Sequence, residues 1–416
     1  MEEIQKAVHQ MEENKTQDAL ETLQNYLPEA DEEEKFTIAE LYIQWGMLEE
    51  AKMILKEFLQ QYPKEQEIIV MLAEIHIDLE EDMEAVDLLN KIEPEDEMYL
   101  QALMQVADLY QSQGLFEVAE SKLLTAKHYD PNEPVIDFAL GELAFSNGEY
   151  NKSIPYYENA MEHSRVIGDI EVATRLGEAY AATGGFEVAL EYFQEVEEEN
   201  PDVQFRYGFI ANKAGRSDIT IQVWEDLLKK DPYYQSVYPL LARVYEEEGM
   251  AAEALEKARE GLTKDEYNKD LYYMTGFLSY KQGDKEAAYR AMREAVAIDP
   301  GYKEAVLFLL ERYKEEEDYE SVILLLEDIQ KTGEVDPLYD WELAQASREE
   351  ENFEKSSGYY ANAYLSFKED VEFLEDYGYF LVENGQKEEA VSVFKEFLVL
   401  EPSNTEIEEF IERLEA

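Results

Sequence analysis

Cysteine is absent from the 416 residues of this chain. Disulfides, thiolate nucleophiles and zinc sites built on cysteine are therefore excluded. The absence fits a reducing compartment, and the first residues lack the basic region and the apolar run of a signal peptide. We therefore expect a cytoplasmic protein.

Positive charge is scarce. The chain carries 36 Lys and Arg against 97 Asp and Glu, which gives a formal net charge of −61 at pH 7. Binding to nucleic acid depends on basic residues that neutralise phosphates, so this charge argues against direct contact with nucleic acid. It argues equally against an anionic membrane surface. The long-range field instead favours basic partners.

Long apolar runs are missing as well. One of the longest is Ala305 to Leu310, whereas crossing a bilayer takes about 20 residues. We therefore expect no membrane insertion. Hydrophobic residues nevertheless make up 45% of the chain, with 30 Tyr and 18 Phe. A disordered acidic segment is poor in such residues, so the chain is predicted to fold throughout.

A repeat runs through the whole sequence, and most neighbouring copies lie 34 residues apart. One position is small in all copies but one: Ala7, Ala39, Ala73, Ala107, Gly141, Gly177, Gly208, Ala242, Gly276, Leu310, Ala344 and Gly378. In eight copies a glycine lies where a first helix would end: Gly46, Gly114, Gly148, Gly184, Gly215, Gly249, Gly283 and Gly385. Proline often follows the second helix. These patterns predict two helices per repeat that cross closely at the small residues.

The repeats predict one continuous array over residues 1–404. Its twelve units are placed near 1–31, 32–65, 66–99, 100–133, 134–169, 170–200, 201–234, 235–268, 269–302, 303–336, 337–370 and 371–404. Residues 405–416 follow as an amphipathic capping helix. The units at 134–169 and 170–200 are longer and shorter than usual, so we expect a distorted joint near 160–205.

The repeat length, the small positions and the prolines resemble the tetratricopeptide repeat (TPR). The resemblance covers nearly the whole chain, which is similar to the acidic cytoplasmic multi-TPR proteins of Bacillus-like bacteria. It implies an all-α fold: a right-handed superhelical solenoid of about twelve helix-turn-helix units with a C-terminal capping helix. It also implies that the first helices line a concave groove.

Residues suited to catalysis or to metal binding are not found. No two of the four histidines have the spacing of a metal site. The segment Asp265–Asp270 superficially resembles a calcium loop, but it lacks the glycine that such a loop needs. No glycine-rich phosphate loop and no nucleophile elbow is present. We therefore expect no catalytic residue, no cofactor, no metal and no enzymatic activity.

The TPR resemblance turns one face of each first helix toward the groove, and in five successive repeats this face carries a carboxylate. These residues are Glu40, Glu74, Asp108, Glu142 and Glu178. The same face also carries aromatic residues that suit anchoring of a partner segment. The aromatic candidates are Phe138, Phe145, Phe205, Phe209, Tyr273, Phe277, Tyr280 and Trp341. Two alternatives stay open: ordinary solvated surface for the carboxylates, and packing against the neighbouring repeat for the aromatics.

These patterns predict a non-enzymatic scaffold or adaptor that binds a protein or peptide, in particular a basic or basic-aromatic segment, in its groove. Carboxylates would steer the partner and aromatics would hold it. One alternative is a structural or self-assembling spacer that uses its convex face or its ends. Another is a regulator of a basic complex that itself binds nucleic acid. A monomer is the favoured oligomeric state, and the identity of the partner is open.

Overall fold

The helices follow the repeat. A computed structural model describes residues 1–197 and 200–415, and these residues form 25 α-helices and one short hairpin. The chain divides into two compact units, Met1–Val203 (unit 1) and Gln204–Ala416 (unit 2). Within each unit consecutive helices pack as pairs, and most second helices contact the first helix of the next pair. The predicted all-α solenoid is confirmed, while the limits of the single repeats stay a prediction.

The described part of unit 1 contains six helix pairs. They are α1 (Glu2–Glu12) with α2 (Thr16–Tyr26), α3 (Glu32–Gln44) with α4 (Leu48–Gln61), α5 (Gln66–Asp78) with α6 (Asp82–Leu89), α7 (Tyr99–Ser112) with α8 (Phe116–Tyr129), α9 (Pro134–Ser146) with α10 (Tyr150–His163), and α11 (Val172–Ala182) with α12 (Phe186–Gln194). The small residues are buried between the paired helices, as Ala39 and Ala51 show. These crossings therefore hold each pair together, as the sequence predicts.

Unit 2 continues the pattern, and its first helix begins just before the unit boundary. The pairs are α13 (Pro201–Lys213) with α14 (Ser217–Lys230), α15 (Val237–Glu247) with α16 (Ala251–Leu262), α17 (Lys269–Lys281) with α18 (Lys285–Ile298), α19 (Lys303–Glu315) with α20 (Tyr319–Lys331), α21 (Pro337–Glu349) with α22 (Phe353–Phe367), and α23 (Val371–Glu383) with α24 (Lys387–Leu400). The last helix, α25 (Thr405–Glu415), buries Ile407 and Ile411 in a cluster with Phe394 and Phe397. It therefore caps the end of unit 2 as predicted, and Ala416 lies outside the described residues.

The succession of helices is interrupted between α10 and α11. Here β1 (Val166–Ile167) and β2 (Ile170–Glu171) form an antiparallel hairpin. Gly168 has a φ of 59°, the left-handed conformation that a tight turn requires. The hairpin lies in the region 160–205, where the repeat lengths predict a distorted joint. Residues 198–199 of that region lie outside the described part of the chain.

In the described part of the chain, all twelve first helices end in a left-handed backbone turn. Eight of these ends carry glycine, with φ between 73° and 86°, as the sequence pattern predicts. The other four carry Asn14, Glu80, Glu317 and Glu351, with φ between 56° and 59°. The glycine pattern does not predict these four ends, although all four fall at the repeat spacing.

Glycine in place of Glu80, Glu317 and Glu351 together is expected to stabilise the protein. A left-handed residue that has a Cβ costs about 1–2 kcal/mol more than glycine, and the flexibility of glycine in the unfolded chain cancels part of the gain. The expected net increase in unfolding free energy is about 1–3 kcal/mol for the three changes. Urea denaturation followed by circular dichroism measures this increase.

The control for this prediction is glycine in place of Glu57, which lies inside α4. There glycine meets no special backbone requirement and should destabilise by about 1 kcal/mol. A triple variant that loses stability, as the Glu57 variant does, would show that the left-handed turns carry no strain.

In most repeats the residue opposite the small position is larger where that position is glycine; Ala344, which has Tyr360 in the equivalent place, is an exception. Four glycines at this position face an aromatic ring: Gly141 faces Tyr157, Gly177 faces Phe193, Gly208 faces Trp224 and Gly378 faces Phe394. A Cβ added to Gly141 would lie 2.5 Å from the ring of Tyr157. Where the small residue is Ala39, the equivalent place in the second helix holds Leu55. Glycine therefore makes room for a larger ring, and the packing density of the crossing is kept.

Candidate partner-binding surface

Three of the predicted acidic residues form an exposed row in unit 1. Glu40 on α3, Glu74 on α5 and Asp108 on α7 are all exposed, and each holds the same place in its repeat. We call these three residues the acidic stripe. Half-buried Ile43 and Ile77 lie about one helical turn farther along α3 and α5. The surface therefore combines exposed carboxylates with apolar side chains.

No basic side chain of the described residues forms an ion pair with the acidic stripe. Glu74 accepts only a long hydrogen bond, 3.4 Å, from Nε2 of Gln105. Desolvation by the surrounding protein raises the pKa of the Asp108 carboxyl, although its side chain is accessible to solvent. A basic partner would offset this cost, because a nearby opposite charge favours the ionised form of a carboxyl.

The last two predicted carboxylates have an internal counter-ion. Arg175 on α11 contacts Glu142 through Nε at 3.0 Å and Glu178 through Nη1 at 2.8 Å. Glu142 also accepts a 2.6 Å hydrogen bond from the Tyr157 hydroxyl, whose pKa is raised by burial and by this bond. Arg175 is not among the predicted site residues, although its place three residues before Glu178 on the same helix indicates this contact. Glu142 and Glu178 thus differ from the acidic stripe, because both already pair with one cation of the chain.

The two aromatic candidates of unit 1 differ in exposure. Phe138 is only 8% exposed and packs against Tyr157, with 5.8 Å between the ring centroids. It belongs to the core around the hairpin, together with Ile167. Phe145 is half-buried and contacts Tyr150 at a centroid distance of 5.1 Å. Phe138 therefore mainly stabilises unit 1, whereas part of Phe145 stays accessible.

Aromatic candidates at the start of unit 2 form a stack. The ring of Phe205 lies 6.1 Å from that of buried Trp224 and 6.5 Å from that of Phe209. Phe209 is 41% exposed, and Lys213 Nζ lies 5.4 Å from its ring centroid. The exposed end of the stack is therefore already covered in part by a cation of the chain.

A second aromatic stack lies on α17. Tyr273 and Phe277 are parallel to within 11°, with 6.1 Å between their centroids. Lys281 Nζ lies 4.4 Å from the centroid of Phe277 and 2.6 Å from Glu246 Oε1. Both rings are half-buried. Phe277 and Lys281 thus form the same combination as Phe209 and Lys213, an aromatic ring followed four residues later by a lysine that lies over it.

The remaining two candidates are engaged in polar contacts within unit 2. The hydroxyl of Tyr280 accepts a 3.2 Å hydrogen bond from Arg312 Nη1. Trp341 Nε1 donates a 2.8 Å hydrogen bond to Asp376, and its ring packs edge-on against Phe373 at 5.3 Å. Both side chains are half-buried. Trp341 thus joins α21 to α23, a role that its place on the predicted face does not indicate.

Histidine contributes to the packing of unit 1. His76 is buried, and its Nδ1 lies 2.5 Å from Glu81 Oε2, which also pairs with Lys52 at 3.2 Å.

The described residues contain no cluster of three or more His, Asp or Glu side chains that could hold a metal ion. Among the described residues, no helix has the length and the apolar character needed to cross a membrane.

Tyrosine hydroxyls serve as donors to many carboxylates. Tyr180 donates to Glu158 at 2.8 Å, and Tyr364 donates to Glu396 at 2.5 Å. Burial together with the first bond raises the pKa of Tyr180 to about 12. The second bond together with burial raises the pKa of Tyr364 to about 12. These neutral donors give carboxylates partners in a chain that has few lysines and arginines.

Stability is expected to fall as the pH rises through the range of about 10 to 12. The unfolded-state pKa of tyrosine is about 10, and the folded values of Tyr180 and Tyr364 are raised to about 12. The contribution of each bond is therefore complete below the unfolded pKa and is lost as the pH passes the folded pKa, at up to about 1 kcal/mol per part-buried pair because solvent screens it. Urea denaturation at a series of pH values measures this loss.

The control variants are Tyr364→Phe and Tyr267→Phe. The first removes the donor to Glu396 and should flatten part of the alkaline decline, whereas the second removes the hydroxyl of a side chain that is 73% exposed. The Tyr267 variant should keep the full pH dependence. If the two variants behaved alike, the hydrogen bonds to carboxylates would not be the cause of the decline.

Stacked helix pairs with small crossing residues and left-handed first-helix ends define a TPR protein. Family models agree: a YpiA-like tetratricopeptide repeat model matches residues 111–164, a YpiA-like C-terminal tetratricopeptide repeat model matches 337–404, and a general tetratricopeptide repeat model matches 270–302. The TPR repeat-containing protein YpiA of Bacillus subtilis (strain 168) is 41% identical over 414 residues, 99% of this chain and 98% of that protein. The chain belongs to the family of YpiA-like TPR proteins, which confirms the predicted resemblance.

Solved structures of other TPR proteins are more distant. One is described as YrrB, a TPR protein with an unusual peptide-binding site; it is 17% identical, with a TM-score of 0.39, and the match covers 44% of this chain and 95% of that one. Another is a tetratricopeptide repeat protein from Parabacteroides merdae; it is 18% identical, with a TM-score of 0.40, and the match covers 58% and 95%. TPR proteins are in general protein-interaction scaffolds.

Proposed function

We propose that this protein is a cytoplasmic, non-enzymatic adaptor that binds a basic segment of a partner protein along the acidic stripe of unit 1. One observation carries the proposal. Glu40, Glu74 and Asp108 are exposed at one repeat position of three successive pairs, and no cation of the described residues pairs with them. Carboxylates that only solvate the surface would not have to occupy the same repeat position in three successive pairs.

The chemistry of the acidic stripe suits steering followed by docking. Unpaired carboxylates raise the rate of encounter with a basic segment, and this effect weakens as salt is added. Ile43 and Ile77 lie beside the carboxylates and are half-buried, so they offer apolar contact once the partner is bound. Glu142 and Glu178 contribute less, because Arg175 must be displaced before either can pair with a partner.

Reversal of the acidic stripe is expected to abolish partner recovery. The variant that carries Glu40→Lys, Glu74→Lys and Asp108→Lys would be used as bait in affinity purification from cell extract, with mass spectrometry as the readout. Each reversed charge replaces attraction by repulsion, so basic partners should be depleted at least about tenfold relative to the unaltered protein. Their recovery by the unaltered protein should also fall with added salt.

The matched control reverses Glu21, Glu57 and Asp87. These residues are exposed on the second helices of three unit 1 pairs, form no ion pair among the described residues, and give the same change in net charge. The control should recover the partners as the unaltered protein does. Equal depletion of basic partners by both variants would mean that net charge alone determines binding. Undiminished recovery of these partners by the folded stripe variant would rule out the acidic stripe as the site.

A further inference from the structure

Unit 2 carries cations and rings at the positions where unit 1 carries the acidic stripe. Phe209 on α13, Arg243 on α15 and Phe277 on α17 hold that repeat position in three successive pairs. Lys213 and Lys281 lie over the rings of Phe209 and Phe277. We call these five residues the cationic patch. Its charge is opposite to that of the acidic stripe, in a chain whose net charge is −61.

Arg243 is the member of the patch with the most freedom to bind. It is exposed, and no carboxylate of the described residues forms an ion pair with it. It lies close to Tyr273: burial raises the pKa of that tyrosine, and the positive charge of Arg243 opposes the rise. A guanidinium is weakly hydrated and can pair with a carboxylate through two parallel hydrogen bonds. The group is therefore available for an anionic partner.

Two nearby carboxylates are already engaged. Glu246 pairs with Lys281 at 2.6 Å, and Asp270 accepts a 2.9 Å hydrogen bond from the hydroxyl of Tyr302. Lys281 thus has a carboxylate partner, whereas Arg243 and Lys213 form no ion pair among the described residues. Exposed Glu304 is a further carboxylate near Tyr273. An acidic segment would meet the two unpaired cations together with the ring faces of Phe209 and Phe277. At about 0.1 M salt the Debye length is about 10 Å, so repulsion from carboxylates farther away than this is largely screened.

We propose that the cationic patch binds an acidic segment of a partner protein. Arg243 would pair with a carboxylate of the segment, and the rings of Phe209 and Phe277 would cover its apolar side chains. The proposal goes beyond the adaptor function of unit 1, because it gives unit 2 a partner of the opposite charge. A segment of about 10 residues would reach across three neighbouring first helices, since helix axes lie about 8–10 Å apart and an extended chain covers about 3.3 Å per residue.

Fluorescence anisotropy with the full chain tests the proposal. The probes are a labelled peptide of about 10 residues made of Glu, Asp, Leu and Phe, and its counterpart with Lys in every acidic place. The acidic peptide should bind at about 0.1 M salt. Arg243→Glu and Phe277→Ala should each weaken binding of the acidic peptide at least about tenfold. Arg259→Glu is the matched control, because Arg259 is exposed on α16 of the same pair and has no ion pair among the described residues.

The control should change the affinity for the acidic peptide less than about twofold. Equal losses for Arg243→Glu and Arg259→Glu would overturn the proposal, as would an acidic peptide that does not bind. If light scattering detects a dimer and Arg243→Glu dissociates it, the occupant of the cationic patch is a second copy of this chain and the proposal is overturned. Reversal of the acidic stripe should leave the acidic peptide bound and should release only the Lys peptide, so the two proposals can fail separately.

Discussion

The substitution Gly208→Ala is expected to lower the unfolding free energy of unit 2 by about 3 kcal/mol. A Cβ at this position would lie 2.3 Å from Nε1 and 2.5 Å from Cδ1 of Trp224, closer than atoms can approach. The indole is fully buried, and its Nε1 donates a 3.1 Å hydrogen bond to the carbonyl oxygen of Phe205. The ring therefore cannot move aside without breaking that bond. Overpacking alone costs about 1–3 kcal/mol, and the lost hydrogen bond adds about 1 kcal/mol.

The matched control for Gly208 is Gly358→Ala. Gly358 lies inside α22, and no heavy atom would come within 4 Å of its added Cβ. Alanine should therefore stabilise there, by about 0.5–1 kcal/mol, because it lowers the entropy of the unfolded chain. Urea denaturation followed by circular dichroism compares the two variants. A similar stability for both would mean that unit 2 relaxes around the new methyl group.

A second-site change separates a steric clash from other causes. Where the repeat has Ala39 in place of glycine, the residue opposite is Leu55 instead of a large ring. The double variant Gly208→Ala with Trp224→Leu restores that combination. It should be more stable than the sum of its two single changes predicts, by about 1–2 kcal/mol, since residues in contact are not additive. Strict additivity would argue against a clash between the two positions.

The sequence predicts those parts of the fold that each repeat determines for itself. The glycine ends of first helices and the small crossing residues follow from backbone conformation and volume, which act over a few residues. Four left-handed ends escaped prediction, because a residue such as Glu80 tolerates this conformation only at a cost that the rest of the pair offsets. The hairpin Val166–Glu171 escaped as well: an insertion indicates an irregular joint but not its shape.

The site is less predictable than the fold, because its properties depend on contacts between repeats. The position of a residue on a first helix determines the helix face on which its side chain lies. It does not determine which side chain of the next pair lies opposite. Glu74 and Glu142 hold the same position, yet only Glu142 meets an arginine, Arg175, from the following pair. Phe138 lies in a core cluster with Ile167, which belongs to a hairpin that the pattern does not predict. A binding surface can therefore be predicted only when the side chains of successive helices are considered together.

Asp376→Ala is expected to destabilise unit 2 by about 3–4 kcal/mol. The carboxylate of Asp376 joins three helices: its Oδ2 accepts hydrogen bonds from Trp341 Nε1 at 2.8 Å and from the Tyr360 hydroxyl at 2.8 Å, and its Oδ1 contacts Arg348 at 3.2 Å. Burial, and then the negative charge of Asp376, raises the pKa of the Tyr360 hydroxyl. Alanine would leave a buried hydroxyl and an indole N–H without their acceptor, each at about 1–3 kcal/mol.

Two controls assign the loss to the shared acceptor. Asp376→Asn keeps one side-chain oxygen as an acceptor and should lose only about 1–2 kcal/mol. Glu372→Ala removes an exposed carboxylate from the first turn of the same helix and should cost less than about 1 kcal/mol. Hydrogen exchange should rise over α21, α22 and α23 in the alanine variant, because local opening follows the weakened contacts. Equal stability of the alanine and asparagine variants would contradict the role of the acceptor.

The same variants show whether Trp341 contacts a partner directly or acts only through Asp376. If Trp341 contacts a partner directly, Trp341→Phe should weaken binding while Asp376→Asn, which leaves the ring in place, should not. If Trp341 acts only through Asp376, the two variants should change stability and partner recovery in parallel, since both weaken one hydrogen bond between α21 and α23. We expect the parallel outcome, because the indole N–H already donates to Asp376 within unit 2 and a partner would have to compete with that hydrogen bond.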